Sequence, residues 1–301
     1  MDPRAVLLFD IDGVIRDVGG SYRRAIAETV HHYSGWRPDP GQIDALKAEG
    51  CWNNDWEASA ELLRRRSLAL AQASSDGPAS LANPEGCAEA PASAPLRLPP
   101  FAELVEVFGG FYFGGDPEGD PALWRGLIGQ EPLLVEPCFF RELDAAGILW
   151  GFVSGAEPPS ARYVLQQRLG LDAPPLIAMG DAPDKPDPSG LLRLAEQLLS
   201  ERWGLALGPA APPVAYLGDT VADVHTVIRA RRQRPEQRFF SLAVAPPHLH
   251  GPDQGQNRSR YEQQLLAAGA DRILASTVAV SSELLFLVEG VDDSYPIRGW
   301  D

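Results

Sequence analysis

The residues Phe9-Asp10-Ile11-Asp12-Gly13-Val14 directly follow the apolar run Val6-Leu7-Leu8 near the start of the chain. An apolar run bounded by acids and a glycine predicts a buried strand that ends in a tight turn. Because side chains alternate along a strand, Asp10 and Asp12 leave it on the same side. Two neighbouring carboxylates repel each other, and Mg²⁺, which prefers carboxylate and phosphate oxygens, would relieve that repulsion. A surface turn is the alternative interpretation, since Asp and Gly are common turn residues.

Beyond residue 133 the sequence alternates between short apolar runs and amphipathic segments. With the first run, the apolar runs predict strands at 5–10, 148–153, 176–179, 214–217 and 239–244. The amphipathic segments predict helices at 137–146, 158–169, 189–200, 221–231 and 261–268. This alternation is typical of an α/β fold, in which a Rossmann-like, doubly wound parallel sheet carries helices on both faces.

Residues 18–134 separate the first predicted strand from the others and are predicted to form an inserted helical domain. Its helices are predicted at 21–33, 55–72 and 101–113. We expect Asp55 to cap the second of these helices and Gly109-Gly110 to interrupt the third. Residues 73–100 are rich in Ala, Ser, Pro and Gly, which predicts a flexible excursion. The expected domains are a core of residues 1–17 and 135–301 and a helical cap of residues 18–134.

The chain has 301 residues, 45% of them hydrophobic, and a formal net charge of −15. A negative charge of this size argues against nucleic acid or an anionic membrane as a partner, since both are bound through Lys and Arg clusters. No apolar run approaches the ~18 residues of a membrane span, and the first is too short for a signal peptide. The scattered cysteines Cys51, Cys87 and Cys138 suit a reducing compartment. These features predict a cytoplasmic protein.

Three further predicted strands are followed by residues that suit phosphate or metal chemistry. Ser154-Gly155 follows the second strand, where a hydroxyl and backbone amides can hold phosphate oxygens, although Ser-Gly is also a common turn. Lys185, one of only two lysines among 26 basic residues, lies in the loop after the third strand. Asp219 and Asp223 lie where the fourth strand meets a helix, a position that suits either a metal site or a helix N-cap, which Thr220 could share.

The four segments occur in the order Asp-x-Asp-Gly, Ser-Gly, Lys-Pro and Gly-Asp-x-x-x-Asp, each after a predicted strand. In this the chain resembles the haloacid dehalogenase superfamily of hydrolases, over residues 1–17 and about 135–285. The insertion is similar to the helical cap of the subclass that contains phosphoglycolate phosphatases and phosphoglucomutases. Within it, Trp52-Asn53-Asn54-Asp55-Trp56 resembles a block in the cap of a little-characterised group of predicted hydrolases. That resemblance implies that Asn53 and Asn54 read the substrate; a helix N-cap between two core tryptophans is the alternative.

The resemblance also implies a mechanism. Asp10 would attack phosphorus, and Asp12 would protonate the leaving group and then activate water. The implied cofactor is Mg²⁺, with ligands from Asp10, Asp12, Asp219 and Asp223, the last acting on the ion either directly or through another ligand. The implied phosphate-binding residues are Ser154, Gly155 and Lys185. Because dehalogenases of the superfamily lack an acid at the position of Asp12, its presence favours phosphoryl transfer.

We therefore expect a Mg²⁺-dependent phosphatase that hydrolyses a small phosphorylated metabolite through an aspartyl-phosphate. The cap is expected to close over the core and exclude water, which disfavours protein substrates. A phosphomutase on the same scaffold is the first alternative, and a non-catalytic metabolite-binding protein is the second. Sugar phosphates, phosphoglycolate and histidinol phosphate are all compatible with the sequence, and so is any oligomeric state.

Overall fold

A computed structural model describes residues 4–47, 49, 52, 54–75 and 96–280. Several positions singled out above lie outside these residues: Cys51, Asn53, Cys87 and residues 76–95 of the predicted excursion. The chain divides into two compact units, one formed by Met1–Gly19 with Pro132–Asp301 and the other by Gly20–Glu131. We refer to them as the core unit and the cap unit. No described helix is long and apolar enough to cross a membrane.

The core unit contains a six-stranded parallel sheet. Its strands are β1 (Ala5–Phe9), β2 (Ile148–Val153), β3 (Leu176–Ile177), β4 (Val214–Gly218), β5 (Phe239–Val244) and β6 (Arg272–Leu274). They are arranged in the order β3-β2-β1-β4-β5-β6, which places β1 in the interior with β2 and β4 beside it. This topology confirms the predicted α/β fold with a doubly wound parallel sheet. The third strand is two residues shorter than the predicted 176–179, and β6 was not predicted.

The described α-helices follow the predicted segments closely. Those of the cap unit are α1 (Ser21–Ser34), α2 (Pro40–Lys47), α3 (Asp55–Ser75) and α4 (Phe101–Tyr112). Those of the core unit are α5 (Pro137–Ala145), α6 (Pro158–Arg162), α7 (Ser189–Trp203), α8 (Val221–Gln233) and α9 (Gly255–Ala268). A π-helical segment, Tyr163–Arg168, continues α6. The last helix begins six residues before the predicted start at 261, and α2 was not predicted.

Alternate residues of β1 pack against opposite faces of the sheet. On one face Phe9 is fully buried with Phe139 of α5, and their ring centroids are 5.8 Å apart. On the other face Leu8 belongs to the buried cluster that contains Leu191 of α7. A parallel sheet is expected to be covered on both faces in this way. Burial of each of these large apolar side chains stabilises the fold by ~1.5–3 kcal/mol.

The cap unit packs around the buried faces of α1, α3 and α4. The Tyr22 and Tyr112 rings are stacked with centroids 4.6 Å apart. Buried Glu131 accepts hydrogen bonds from the Ser21 hydroxyl at 2.5 Å and the Tyr112 hydroxyl at 3.1 Å. The predicted break at Gly109-Gly110 is wrong, because α4 runs through both glycines. Its buried stripe at four-residue spacing, Leu104, Phe108 and Tyr112, holds the helix against the unit.

Candidate active site

The register of the sheet brings the ends of three neighbouring strands level with one another. Phe9 of β1 pairs with Phe152 of β2 and with Leu217 of β4. Within two residues after these pairs come Asp10, Ser154 and Asp219, respectively. In open parallel sheets, ligands bind at the carboxyl ends of the strands. The candidate site is therefore formed at this edge of the core unit.

The turn after β1 is tightly hydrogen-bonded. The backbone N–H groups of Val14, Ile15 and Arg16 all point at the carbonyl oxygen of Ile11, at 3.3, 2.7 and 3.1 Å. Gly13 lies inside this turn with φ +76°, a left-handed conformation that glycine adopts without steric cost. The turn thus folds the Asp-x-Asp-Gly segment back on itself directly beyond the strand.

Three buried acids meet at this edge of the sheet. Asp10, Asp219 and Asp223 are 5, 9 and 2% exposed, and each offers a carboxylate oxygen within 4.8 Å of the others. Burial raises the pKa of Asp10 to about 6, with Lys185 acting in the opposite direction. Burial, reinforced by Asp223 and Asp10, raises the pKa of Asp219 well above its usual range. Negative charge is therefore concentrated here and is unfavourable in the absence of a cation.

Lys185 connects two of the three acids. Its Nζ lies 2.8 Å from Asp10 Oδ2 and 2.6 Å from Asp223 Oδ1, and it donates to the Tyr216 hydroxyl at 3.3 Å. Burial alone would lower the pKa of Lys185, but the two carboxylates outweigh it and hold the pKa well above its ordinary value. The ammonium is thus permanently charged, and these three contacts use its three N–H donors.

Asp223 accepts hydrogen bonds on both carboxylate oxygens. Its Oδ1 accepts from Lys185 and lies 3.1 Å from the Tyr216 hydroxyl. Its Oδ2 accepts from the Thr220 backbone N–H at 2.9 Å and hydroxyl at 2.6 Å, and Thr220 is the N-cap of α8 in a capping box. Burial acts to raise the pKa of Asp223, but Lys185 and the Thr220 hydrogen bonds lower it overall. Three donors, Lys185 and the two Thr220 groups, thus hold Asp223, and its carboxylate remains one of the three that could hold a metal ion.

The residues after β2 adjoin Lys185. Ser154 is buried, and its hydroxyl accepts a hydrogen bond from the Ala156 N–H at 3.2 Å. Gly155 is exposed, with no atom near the position of a side chain. Ser154, Gly155 and Lys185 line the same small crevice at the ends of β2 and β3. The Ser-Gly motif therefore places a hydroxyl and the Gly155 backbone beside the fixed ammonium, while the Ser154 N–H donates to the Ile177 carbonyl at 2.9 Å.

Comparison with known proteins finds one similar curated sequence, and no protein-family model matches the chain. An imidazoleglycerol-phosphate dehydratase from Phytophthora nicotianae is 28% identical over 224 residues, which make up 74% of this chain and 40% of that protein. The chain thus spans well under half the length of the curated protein that it matches.

Solved structures match over nearly the whole chain. A phosphonoacetaldehyde hydrolase-like protein from Oleispira antarctica is 18% identical, with a TM-score of 0.59 and coverage of 96% of both chains. A predicted phosphoglycolate phosphatase from Haemophilus somnus is 14% identical, with a TM-score of 0.53 and coverage of 94% of this chain and 98% of that one. A haloacid dehalogenase hydrolase from Entamoeba histolytica is 10% identical, with a TM-score of 0.53 and coverage of 95 and 100%.

The chain has the haloacid dehalogenase fold. This confirms, at the level of the fold, the resemblance drawn from the four motifs. In this fold the described acids stand at the carboxyl edge of the central strands, where the sequence order of the motifs predicted them. The roles of the individual residues stay predictions.

Asp219 has the surroundings of a carboxylate that could hold a divalent cation. No described residue donates a hydrogen bond to its carboxylate, although the side chain is buried beside two other acids. A Cβ on Gly13 would lie 2.0 Å from Asp219 Oδ2, so only glycine lets the turn come this close. Mg²⁺ is bound through one or two carboxylates and oxygen ligands. The donors present, the carboxylates of Asp219 and Asp10, fit that requirement.

Asp12 is paired with an arginine. Its Oδ1 accepts a hydrogen bond from Arg16 Nε at 2.7 Å, and its side chain is 28% exposed. No described residue donates to its Oδ2. The structure therefore places one Asp12 oxygen against a guanidinium and leaves the other open.

Asn54 caps a helix in the cap unit. Its Oδ1 accepts from the backbone N–H groups of Trp56 at 2.9 Å and Glu57 at 3.1 Å, at the start of α3. The cap predicted at Asp55 is therefore wrong by one residue, and the side chain of Asp55 instead pairs with Lys47. The alternative interpretation was a helix N-cap between two core tryptophans. The amide oxygen of Asn54 fits the N-cap part of it, but Trp52 and Trp56 are only half-buried and so are not core residues. Asn53 lies outside the described residues.

Tyr216 belongs to the site although its sequence position did not predict it. Its buried hydroxyl donates to the Val153 carbonyl at 2.7 Å and also contacts Lys185 and Asp223. Burial raises its pKa well above the ordinary value, so it stays a neutral donor. One signal was available: a tyrosine in a buried parallel strand must find a partner for its hydroxyl.

Proposed function

We propose that this chain is a Mg²⁺-dependent phosphatase that hydrolyses a small phosphorylated metabolite through an aspartyl-phosphate on Asp10. The observation that carries this proposal is the pairing of Asp10 with the buried ammonium of Lys185, beside the unpaired carboxylate of Asp219. Such a cluster concentrates positive charge around a nucleophile once a divalent ion is present.

Asp10 is oriented for attack. Its Oδ1 accepts the Ile11 N–H at 2.8 Å and its Oδ2 accepts from Lys185 at 2.8 Å, so the carboxylate has a fixed direction. A pKa of about 6 leaves it ionised at neutral pH. In the first step an Asp10 oxygen forms a bond to phosphorus while the ester P–O bond breaks, and the leaving oxygen takes a proton from Asp12. In the second step water attacks phosphorus, Asp12 recovers a proton, and inorganic phosphate leaves Asp10 free again.

Mg²⁺ held by Asp10, Asp219 and the Asp12 carbonyl would neutralise charge on the phosphoryl oxygens and the acids. Lys185 supplies the fixed positive charge at the site. Because its three donors are all engaged, a phosphoryl oxygen would replace its longest contact, the 3.3 Å contact to Tyr216. Ser154 and the Gly155 backbone adjoin Lys185 and would bind the remaining phosphoryl oxygens. Asp223 acts by holding Lys185.

The similarity to an imidazoleglycerol-phosphate dehydratase supports one refinement of the substrate class. The compound in that name is a phosphate monoester that carries an imidazole ring. We therefore include imidazoleglycerol phosphate and histidinol phosphate in the substrate panel, beside sugar phosphates and phosphoglycolate. We also propose a cytoplasmic location, on the sequence grounds given above.

The test is release of inorganic phosphate from this panel, with and without Mg²⁺. We expect release from at least one compound, its loss with a chelator, and its loss in Asp10→Asn. Asp172→Asn is the matched control, because it makes the same change at an exposed position of the core unit. Interconversion of isomeric phosphates without release would support a phosphomutase instead, and binding without turnover would support a metabolite-binding protein.

A further inference from the structure

Arg16 is the largest fully buried side chain of the described residues. A buried guanidinium is costly unless its charge is paired and its N–H groups are bound. In this protein it is paired with Asp12 through Nε at 2.7 Å, and its NH2 group donates to the Ser160 hydroxyl on α6 at 2.8 Å. One of the groups that pairs this buried charge is thus the carboxylate to which the proposed function assigns the proton transfer.

The backbone fixes Arg16 as firmly as the side chain does. Its N–H donates to the Ile11 carbonyl, and its carbonyl accepts the Gly13 N–H at 2.9 Å. On its other side Arg16 is bridged to Leu133, where the chain returns to the core unit. The guanidinium therefore has little freedom, and Asp12 is held by a rigid neighbour.

The arrangement distinguishes the two oxygens of Asp12. Because Oδ1 accepts from a permanently charged donor, a proton on this carboxyl group is carried by Oδ2. Among the residues that the structure describes, none donates to Oδ2, and the side chain is 28% exposed. The oxygen that carries the proton is then the one that faces outward from the ion pair.

We propose that Arg16 is a positioning residue for proton transfer: it holds Asp12 Oδ1 so that Oδ2 delivers the proton to the leaving group and later takes one from water. The inference rests on the proposed function and adds to it a residue outside the four motifs. Ser160 takes part by anchoring the guanidinium. A merely structural Arg16, which ties the β1 turn to α6, is the competing explanation.

Leaving-group dependence separates the two explanations. A nitrophenolate departs without a proton, whereas an alkoxide needs one, so in the first step loss of proton delivery affects only the alkyl ester. Hydrolysis of the aspartyl-phosphate is common to both esters, so the comparison uses kcat/KM, which reports the steps up to formation of that intermediate. We expect Arg16→Met to lower kcat/KM on the best alkyl phosphate of the panel by ~10²-fold or more, and on p-nitrophenyl phosphate by less than ~10-fold. In an Asp12→Asn background, Arg16→Met should add no further loss on the alkyl ester.

A milder variant guards against a protein that fails to fold. Ser160→Ala keeps the ion pair and removes one anchor of the guanidinium, so we expect the same selective loss at a smaller size. Equal losses of kcat/KM on both esters in Arg16→Met and Ser160→Ala would overturn the inference and leave the phosphatase proposal standing. Wild-type protein that hydrolyses neither ester would overturn the proposed function, and the inference with it.

Discussion

Substitution of Gly13 by alanine tests whether the close approach of the β1 turn to Asp219 builds the site. Two penalties apply at this position. The left-handed backbone, φ +76°, costs an L-residue about 1–2 kcal/mol. The added Cβ would lie 2.0 Å from Asp219 Oδ2 and 2.6 Å from its Cγ, so the carboxylate must move. Overpacking of this kind costs a further ~1–3 kcal/mol.

Gly204→Ala is the matched control. Gly204 ends α7 with φ +63°, and a Cβ added there would have no atom within 4 Å, so this variant isolates the backbone term. Urea unfolding of both variants should show a loss of about 1–2 kcal/mol in Gly204→Ala and a clearly larger loss in Gly13→Ala.

The functional consequence of Gly13→Ala follows from the displaced carboxylate. A shift of about 1 Å in a catalytic group can cost ~10²-fold in rate. We expect Mg²⁺ affinity, measured by calorimetry, to fall at least tenfold and phosphate release to fall ~10²-fold, while Gly204→Ala keeps both. Equal destabilisation of the two variants, with Mg²⁺ binding unchanged in Gly13→Ala, would refute the reasoning.

Three other perturbations have directions set by the structure. Lys185→Met leaves Asp10 and Asp223 buried without a cation. In chelator-treated protein the free energy of unfolding in urea should fall by ~3–5 kcal/mol at pH 8 and by less at pH 5, where Asp10 is protonated. Equal losses at both pH values would contradict this. Tyr216→Phe leaves the Val153 carbonyl without its donor and should lower the free energy of unfolding by ~1–3 kcal/mol. It should also reduce kcat more than it changes KM. An unchanged kcat would show that Tyr216 has no part in the site. Asp10 has a pKa of about 6, the pKa of Asp219 is also raised, and both acids must lose their protons to bind a metal. Mg²⁺ affinity should therefore fall as the pH is lowered, by about tenfold or more per pH unit below pH 6. An affinity independent of pH between 5 and 8 would contradict the ligand assignment.

The sequence predicted the strands and helices that bury a continuous apolar face. The strands at 148–153 and 239–244 were predicted with the bounds that the structure has. The missed strand β6 has only three residues and begins with exposed Arg272, so it carries no apolar run. The helix break expected at Gly109-Gly110 was wrong because tertiary packing of the buried stripe outweighs the low helix propensity of glycine.

The acids of the site were predictable because the rule behind them is local. Each of Asp10 and Asp219 follows an apolar run, and parallel strands bring their carboxyl ends together. The partners of these acids were not predictable, because they are set by contacts between distant parts of the chain. Tyr216 donates to Val153, and Arg16 donates to Ser160, 144 residues further along the chain.

Chemical trapping of the intermediate tests the central claim most directly. Wild-type protein with Mg²⁺ and its best substrate is quenched during turnover and reduced with borohydride, which converts an aspartyl-phosphate to homoserine. Peptide mass analysis should then find homoserine at position 10 in wild-type protein and at no position in Asp10→Asn. Homoserine at a different acid, or unmodified Asp10 in protein quenched during rapid phosphate release, would contradict the account.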